Sequence, residues 1–203
     1  MNVPNKLSLF RILVVPVILV FLLPARSFSF IPESWNIFVE ANGRVIAGIL
    51  FVIASLTDLA DGEIARKYNL VTNLGKFLDA LADKMLVISV MIALVDLGRI
   101  SSVFVIIIVL REFMVTGIRL VASEKGVVIA AKILGKIKTA TQMTALIFLL
   151  FEPLIVLLLS FLVKGADGAV YLTGDILFLL CVIMTILSGL DYLLKNLHYF
   201  REK

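Results

Sequence analysis

Long apolar runs broken by short charged turns dominate the chain, as in Val103 to Leu110 and Ala145 to Val163. Their lengths predict six helices, roughly 7–24, 43–62, 77–97, 101–122, 140–163 and 170–195. Only the fifth approaches the twenty or so apolar residues of a simple membrane span, and it carries Glu152 and Pro153. The others reach that length by including polar ends. Several helices should therefore carry charged turns at one end into a protein-lined cavity. The expected fold is all-α: a polytopic membrane protein with six transmembrane helices. No linker, repeat or low-complexity tract appears, so residues 1–203 read as one domain.

Composition strengthens that picture. Apolar residues make up 61% of the 203 positions, and the mean hydropathy is +1.10. A soluble domain of this size would expose more polar surface. The sequence pI near 9.3 points to anionic lipid headgroups and phosphorylated substrates rather than nucleic acid. Cys181 is the single cysteine, which excludes an internal disulfide. His198, the only histidine, stands alone near the end of the sequence and is not a catalytic candidate. Lys6 and Arg11 precede the apolar run Ile12 to Leu23, but Pro24-Ala25-Arg26 makes a poor cleavage site, so this segment reads as retained.

Basic residues orient the bundle. With six spans, Arg26, Arg44, Arg99 and Lys164 fall on one side, and the other fifteen of the nineteen Lys and Arg residues on the opposite side. The richer side is expected to be cytoplasmic. Glycines 62, 75, 117 and 135 punctuate helix ends on that side, and glycines 43, 98, 165 and 168 belong to far-side turns. Trp35 and Phe38 fit an aromatic belt on the far side, with Tyr192, Tyr199 and Phe200 near the cytoplasmic boundary.

Four aspartates stand out against this background: Asp58 and Asp61, then Asp79 and Asp83. Spacings of three and four residues place each pair on one helix face. Carboxylates at membrane depth are costly and mark function. Four converging anions repel unless protonated or bridged by cations, so two helices gripping a divalent metal is the least costly arrangement. Farther on, Arg111 interrupts an apolar run and needs an anion, which either a ligand or the adjacent Glu112 could supply. Arg119 lies about 80° around the helix from Arg111, so both can face one cavity. Lys136 and Lys138 approach from the next helix start. Together the four form a candidate pocket for a second phosphate, whereas Lys125 and Lys132 read as solvated or lipid-facing.

The pattern D-x-x-D-G-x-x-A-R, eight residues, then G-x-x-x-D-x-x-x-D is complete from Asp58 to Asp83. It resembles the CDP-alcohol phosphotransferases, integral membrane enzymes that move a phosphoalcohol group from a CDP-alcohol to a second hydroxyl. Arg111-Glu112-Phe113, Arg119 and Leu134-Gly135-Lys136-Ile137-Lys138-Thr139 resemble the phosphatidylglycerophosphate synthase branch. The resemblance implies that Asp58, Asp61, Asp79 and Asp83 hold Mg²⁺ or Mn²⁺, two ions being the expected number. It implies Asp83 as the base for the acceptor hydroxyl, with a salt bridge to Lys84 or Lys76 as the alternative. Gly62 and Ala65 would admit the nucleotide by being small. Arg66 would hold phosphate of the CDP moiety, Thr72 would offer a hydroxyl, and Gly75 would let the two aspartate helices approach.

Pro4-Asn5-Lys6 and Arg11 resemble the family's N-terminal segment along the cytoplasmic interface, with Asn5 a contact for the nucleotide. A short amphipathic interfacial segment is the alternative for that stretch. The implied reaction transfers a phosphatidyl group from CDP-diacylglycerol to sn-glycerol 3-phosphate, with CMP released, in a homodimer in the inner membrane. Other acceptors remain open: inositol phosphate, serine, phosphatidylglycerol, or choline and ethanolamine. A cation transporter, in which intramembrane carboxylates bind the transported ion, is a reading from a different class. Two departures from the family pattern, Glu63 after the motif glycine and Ala80 after Asp79, leave the ligand set whole.

Overall fold

The computed structural model describes residues 3–26, 30–67, 73–124, 133–161 and 165–196, with backbone alone for 3–6, 58–67, 73–74, 76 and 124. Every regular element among them is helical: α1 (Val3–Leu22), α2 (Glu33–Phe38), α3 (Arg44–Lys67), α4 (Asn73–Asp96), α5 (Ser102–Glu124), α6 (Ile133–Ser160) and α7 (Asp167–Asn196). A π-helical turn, Val39–Gly43, joins α2 to α3 without a break. Helices start earlier than the apolar runs suggested, at residue 3 rather than 7 and at 133 rather than 140. Backbone hydrogen bonding continues through polar residues, whereas an apolar run ends at the first charge.

Among the described residues, three helical stretches are long and apolar enough to cross a membrane by themselves, Glu33–Thr57, Ile133–Ser160 and Asp167–Asn196, not the six expected. In α1 the apolar stretch is the shorter Leu7–Leu22. Charges account for the other two: Asp79, Asp83 and Lys84 occupy the first half of α4, and Arg111, Glu112 and Arg119 interrupt α5 from its middle onward.

The core lies where α1, α3, α4, α6 and α7 meet, around Ile18, Phe51, Met91, Leu94, Leu146, Leu149, Leu150 and Cys181. What faces outward is equally apolar, with Leu13, Leu56, Ile92, Leu110, Leu172, Ile176 and Leu194 all exposed. On α7 the inward face is the more polar one, with Gly174, Cys181, Thr185, Ser188 and Gly189 buried. Small and hydroxyl-bearing residues inside and leucines outside suit helices packed in lipid. Gly43, expected in a far-side turn, instead lies inside the helix, where a Cβ would fall 1.9 Å from the Phe21 carbonyl oxygen of α1.

Two polar clusters mark opposite ends of the bundle. At one end α4 closes in a Schellman cap: Arg99 N–H donates to the Leu94 carbonyl (2.9 Å) and Gly98 N–H to that of Val95 (2.9 Å). Gly98 takes the left-handed φ of 67° that this cap requires. The turn delivers Arg99 to Glu152, which is fully buried on α6. Arg99 donates to both Glu152 oxygens (Nη2 to Oε1 2.6 Å, Nε to Oε2 2.7 Å) and to Asp175 Oδ1 on α7 (2.6 Å). Arg44, from the start of α3, adds a third hydrogen bond to Glu152 Oε2 (3.0 Å). The Arg99 guanidinium is held above its ordinary range, chiefly by its hydrogen bond to Glu152, against the opposing effect of burial.

Candidate functional site

The opposite end carries the aspartates. Asp58 and Asp61 lie on the last turns of α3, but their side chains fall outside the described residues, as do those of Asn5, Gly62, Ala65 and Arg66. Thr72 lies outside altogether. Asp79 and Asp83 are exposed one turn apart on α4, and Gly75 lies in its first turn, partly buried. α1 packs along both α3 and α4, which touch each other only slightly, so the two halves of the motif lie on helices that share α1 as a neighbour.

Among the described residues no three His, Cys, Asp or Glu side chains form a metal cluster. The exposed carboxylates of Asp79 and Asp83 are oxygen donors of the kind that suits a hard divalent cation. Asp79 has a second partner that sequence reasoning did not assign. Arg11, on α1 and fully buried, donates Nη2 to Asp79 Oδ1 at 2.5 Å. A buried guanidinium needs an anion, and this one is supplied by a carboxylate sixty-eight positions away.

Lys84 follows Asp83 on α4 and reaches toward α5. It donates Nζ to Thr116 Oγ1 on α5 at 2.5 Å. That bond sets the aspartate end of α4 beside the basic segment of α5.

On α5 the question left open for Arg111 has a double answer. Glu112 does accept from Arg111 Nη1 (2.9 Å), and it accepts from Lys138 Nζ at 2.5 Å as well. A single carboxylate thus ties α5 to α6. The other amino group of Arg111, Nη2, donates to Ser188 Oγ on α7 (2.6 Å). Arg119 donates Nε to the Tyr192 hydroxyl (3.3 Å), with its guanidinium carbon 5.6 Å from the ring centroid. A small pocket opens here between α5, the start of α6 and α7, lined by Arg111, Val115, Arg119, Leu134, Gly135, Ser188, Asp191 and Tyr192.

Of the four basic residues expected at a phosphate pocket, the fold brings Arg111 and Arg119 to its wall. Lys138 stands behind them, buried on Glu112, and Lys136 is exposed outside it. Tyr192, expected in an aromatic belt, is instead buried against Arg119. The helical spacing of Ser188 and Tyr192, one turn apart on α7, was visible in the sequence. Nothing in an apolar helix tells which face meets a cation.

The chain matches the CDP-alcohol phosphatidyltransferase family model over residues 1–187. It belongs to that family. Among curated relatives it is 42% identical over 200 residues to the CDP-diacylglycerol--glycerol-3-phosphate 3-phosphatidyltransferase of Bacillus subtilis, covering 96% of this chain and 95% of the relative. The protein of that name from Rickettsia bellii is 36% identical over 203 residues, covering 98% and 97%. One from Mycoplasma pneumoniae is 36% identical over 173 residues, covering 83% and 73%. Apolar helices in a member of this family mark a multi-pass membrane protein.

Proposed function

We propose that this CDP-alcohol phosphatidyltransferase moves the phosphatidyl group of CDP-diacylglycerol to sn-glycerol 3-phosphate, giving phosphatidylglycerophosphate and CMP. The observation that supports the reading is the Lys84–Thr116 bond, which ties the helix carrying Asp79 and Asp83 to the helix carrying Arg111 and Arg119. Such a pair of sites suits a nucleotide-bearing donor and an acceptor with its own phosphate. The printed names of the relatives favour the same substrates.

Asp58, Asp61 and Asp79 are the residues that would hold Mg²⁺ or Mn²⁺, with Asp83 at their edge. When bound, the cation supplies charge neutralisation on the pyrophosphate. Arg66 and Asn5 bind the CDP moiety, Thr72 offers it a hydroxyl, and Gly62, Ala65 and Gly75 leave room for it. Arg111 and Arg119 take the acceptor phosphate, with Lys136 at the rim and Lys138 holding Glu112. Asp83 accepts the proton of the acceptor's 1-hydroxyl. The freed oxygen attacks the phosphorus that carries diacylglycerol, and the bond to CMP breaks with its electron pair leaving on CMP. No enzyme nucleophile is required. Six helices crossing a bacterial inner membrane, both termini and the site cytoplasmic, and a homodimer complete the proposal. α1, α4 and α5 cross as members of the bundle, their charges turned to the protein-lined cavity.

Purified enzyme given CDP-diacylglycerol and radiolabelled glycerol 3-phosphate or inositol phosphate tests the acceptor. Lipid-soluble label and CMP should appear with glycerol 3-phosphate. Product formed from inositol phosphate alone would move the chain to another branch.

A further inference from the structure

We propose that one face of α7, Ser188, Gly189 and Tyr192, is a positioning element that sets the affinity of the arginine pocket for the acceptor's phosphate. The inference rests on the pocket being the acceptor site. Arg111 and Arg119 sit two turns apart on α5 with long flexible side chains. Left to themselves, both guanidinium groups would sample many orientations. The contacts from α7 prevent this.

Ser188 Oγ takes one amino group of Arg111 at 2.6 Å while Glu112 takes the other at 2.9 Å. The guanidinium is fixed from two sides, and its buried Nε has no hydrogen-bond partner among the described residues. An arginine donates up to five hydrogen bonds, so donors remain on a group that walls the pocket. Tyr192 does the same for Arg119, through its hydroxyl at 3.3 Å and its ring at 5.6 Å. The ring holds the cation without consuming its remaining donors.

Gly189 completes the element by being small. A Cβ there would fall 2.8 Å from Arg111 Cγ and 3.7 Å from its Nε, pressing on the stem that Ser188 holds in place. Fixed donors lose less entropy when a tetrahedral anion docks than mobile ones do. The contribution of α7 therefore appears in acceptor binding rather than in the chemical step at the aspartates.

Steady-state kinetics in mixed micelles tests this, with each substrate varied against saturating partner. Ser188→Ala and Tyr192→Leu should each raise the KM for glycerol 3-phosphate roughly tenfold, the scale of a hydrogen bond to a charged group. Both should leave kcat and the KM for CDP-diacylglycerol within about twofold of the parent. Ser188→Thr and Tyr192→Phe, which retain the hydroxyl and the ring, should recover most of the loss. Competitive inhibition by inorganic phosphate should weaken in parallel. An unchanged acceptor KM overturns the proposal. So does a joint change in kcat, both KM values and melting temperature, which would mark α7 as packing alone. If the parent turns over a different phosphorylated acceptor and not glycerol 3-phosphate, the acceptor assignment fails, while the same KM comparison with that acceptor still decides the role of α7. Gly189→Ala is a third variant, and a failure to fold there leaves the other two decisive.

Discussion

Replacing Glu152 by alanine tests whether the polar cluster opposite the aspartates holds the bundle together. Glu152 is fully buried and accepts three described hydrogen bonds, two from Arg99 at 2.6 and 2.7 Å and one from Arg44 at 3.0 Å. Deleting the carboxylate leaves two largely buried guanidinium groups without their shared anion. Removing one partner of a buried ion pair costs about 3–5 kcal/mol. Arg99 keeps Asp175 at 2.6 Å and the Tyr171 carbonyl at 3.0 Å, which favours the lower end, about 3 kcal/mol. For a chain of this size each kcal/mol moves the midpoint by about 2–4 °C, so a fall of about 6–12 °C is expected. Cys181, the single and buried cysteine, makes the assay simple. A thiol-specific fluorogenic dye should label the variant in detergent at a lower temperature than the parent. Gly174→Ala should act in the same direction, because its Cβ would fall 2.1 Å from Glu152 Oε1 and 2.7 Å from Arg99 Nη2. Well below the transition both variants should keep the parent's KM values. A Glu152→Ala midpoint within 2 °C of the parent's, on the scale just used, would refute the reasoning, since the cluster would then contribute under about 1 kcal/mol.

Asp58→Asn, Asp61→Asn, Asp79→Asn and Asp83→Asn should each reduce CMP release by at least about a hundredfold, and a chelator should abolish it until Mg²⁺ or Mn²⁺ is restored; undiminished turnover in any arm counts against the metal assignment. Arg11→Gln should lower thermal stability by about 2 kcal/mol, less than a fully buried pair because Asp79 is half-exposed, and a thermal shift assay should show Arg11→Lys recovering part of the loss. Gly43→Ala should cost about 3 kcal/mol, because its Cβ would meet the Phe21 carbonyl at 1.9 Å and backbone on both sides must move; an unchanged melting curve would show that α1 does not approach the π turn this closely.

Much of this was legible before any coordinates. Six long apolar segments correspond to α1 and to α3 through α7, because a helix is the segment's own way of satisfying its backbone in an apolar setting. The family was legible in eight positions, of four residue types, at fixed offsets between Asp58 and Asp83, and residues 1–187 match it. Arg111 and Arg119 could be placed on one face because helical periodicity is local, and they do line one pocket.

Partner choice was not local and was not legible. Glu152 read as an interruption in the fifth helix, yet it is the anion that holds Arg44 and Arg99. Arg11 read as one basic charge among fifteen on its side, yet it is buried against Asp79. Tyr192 read as an interfacial ring, yet it packs on Arg119. In a soluble helix the apolar stripe reveals which face is buried. Here leucines cover the outer face as densely as the inner one, so hydrophobic periodicity cannot separate protein from lipid. The sequence alone determined the helices, the acidic motif and the family. Only the tertiary structure decided which buried charges meet, because those pairings join helices far apart along the chain.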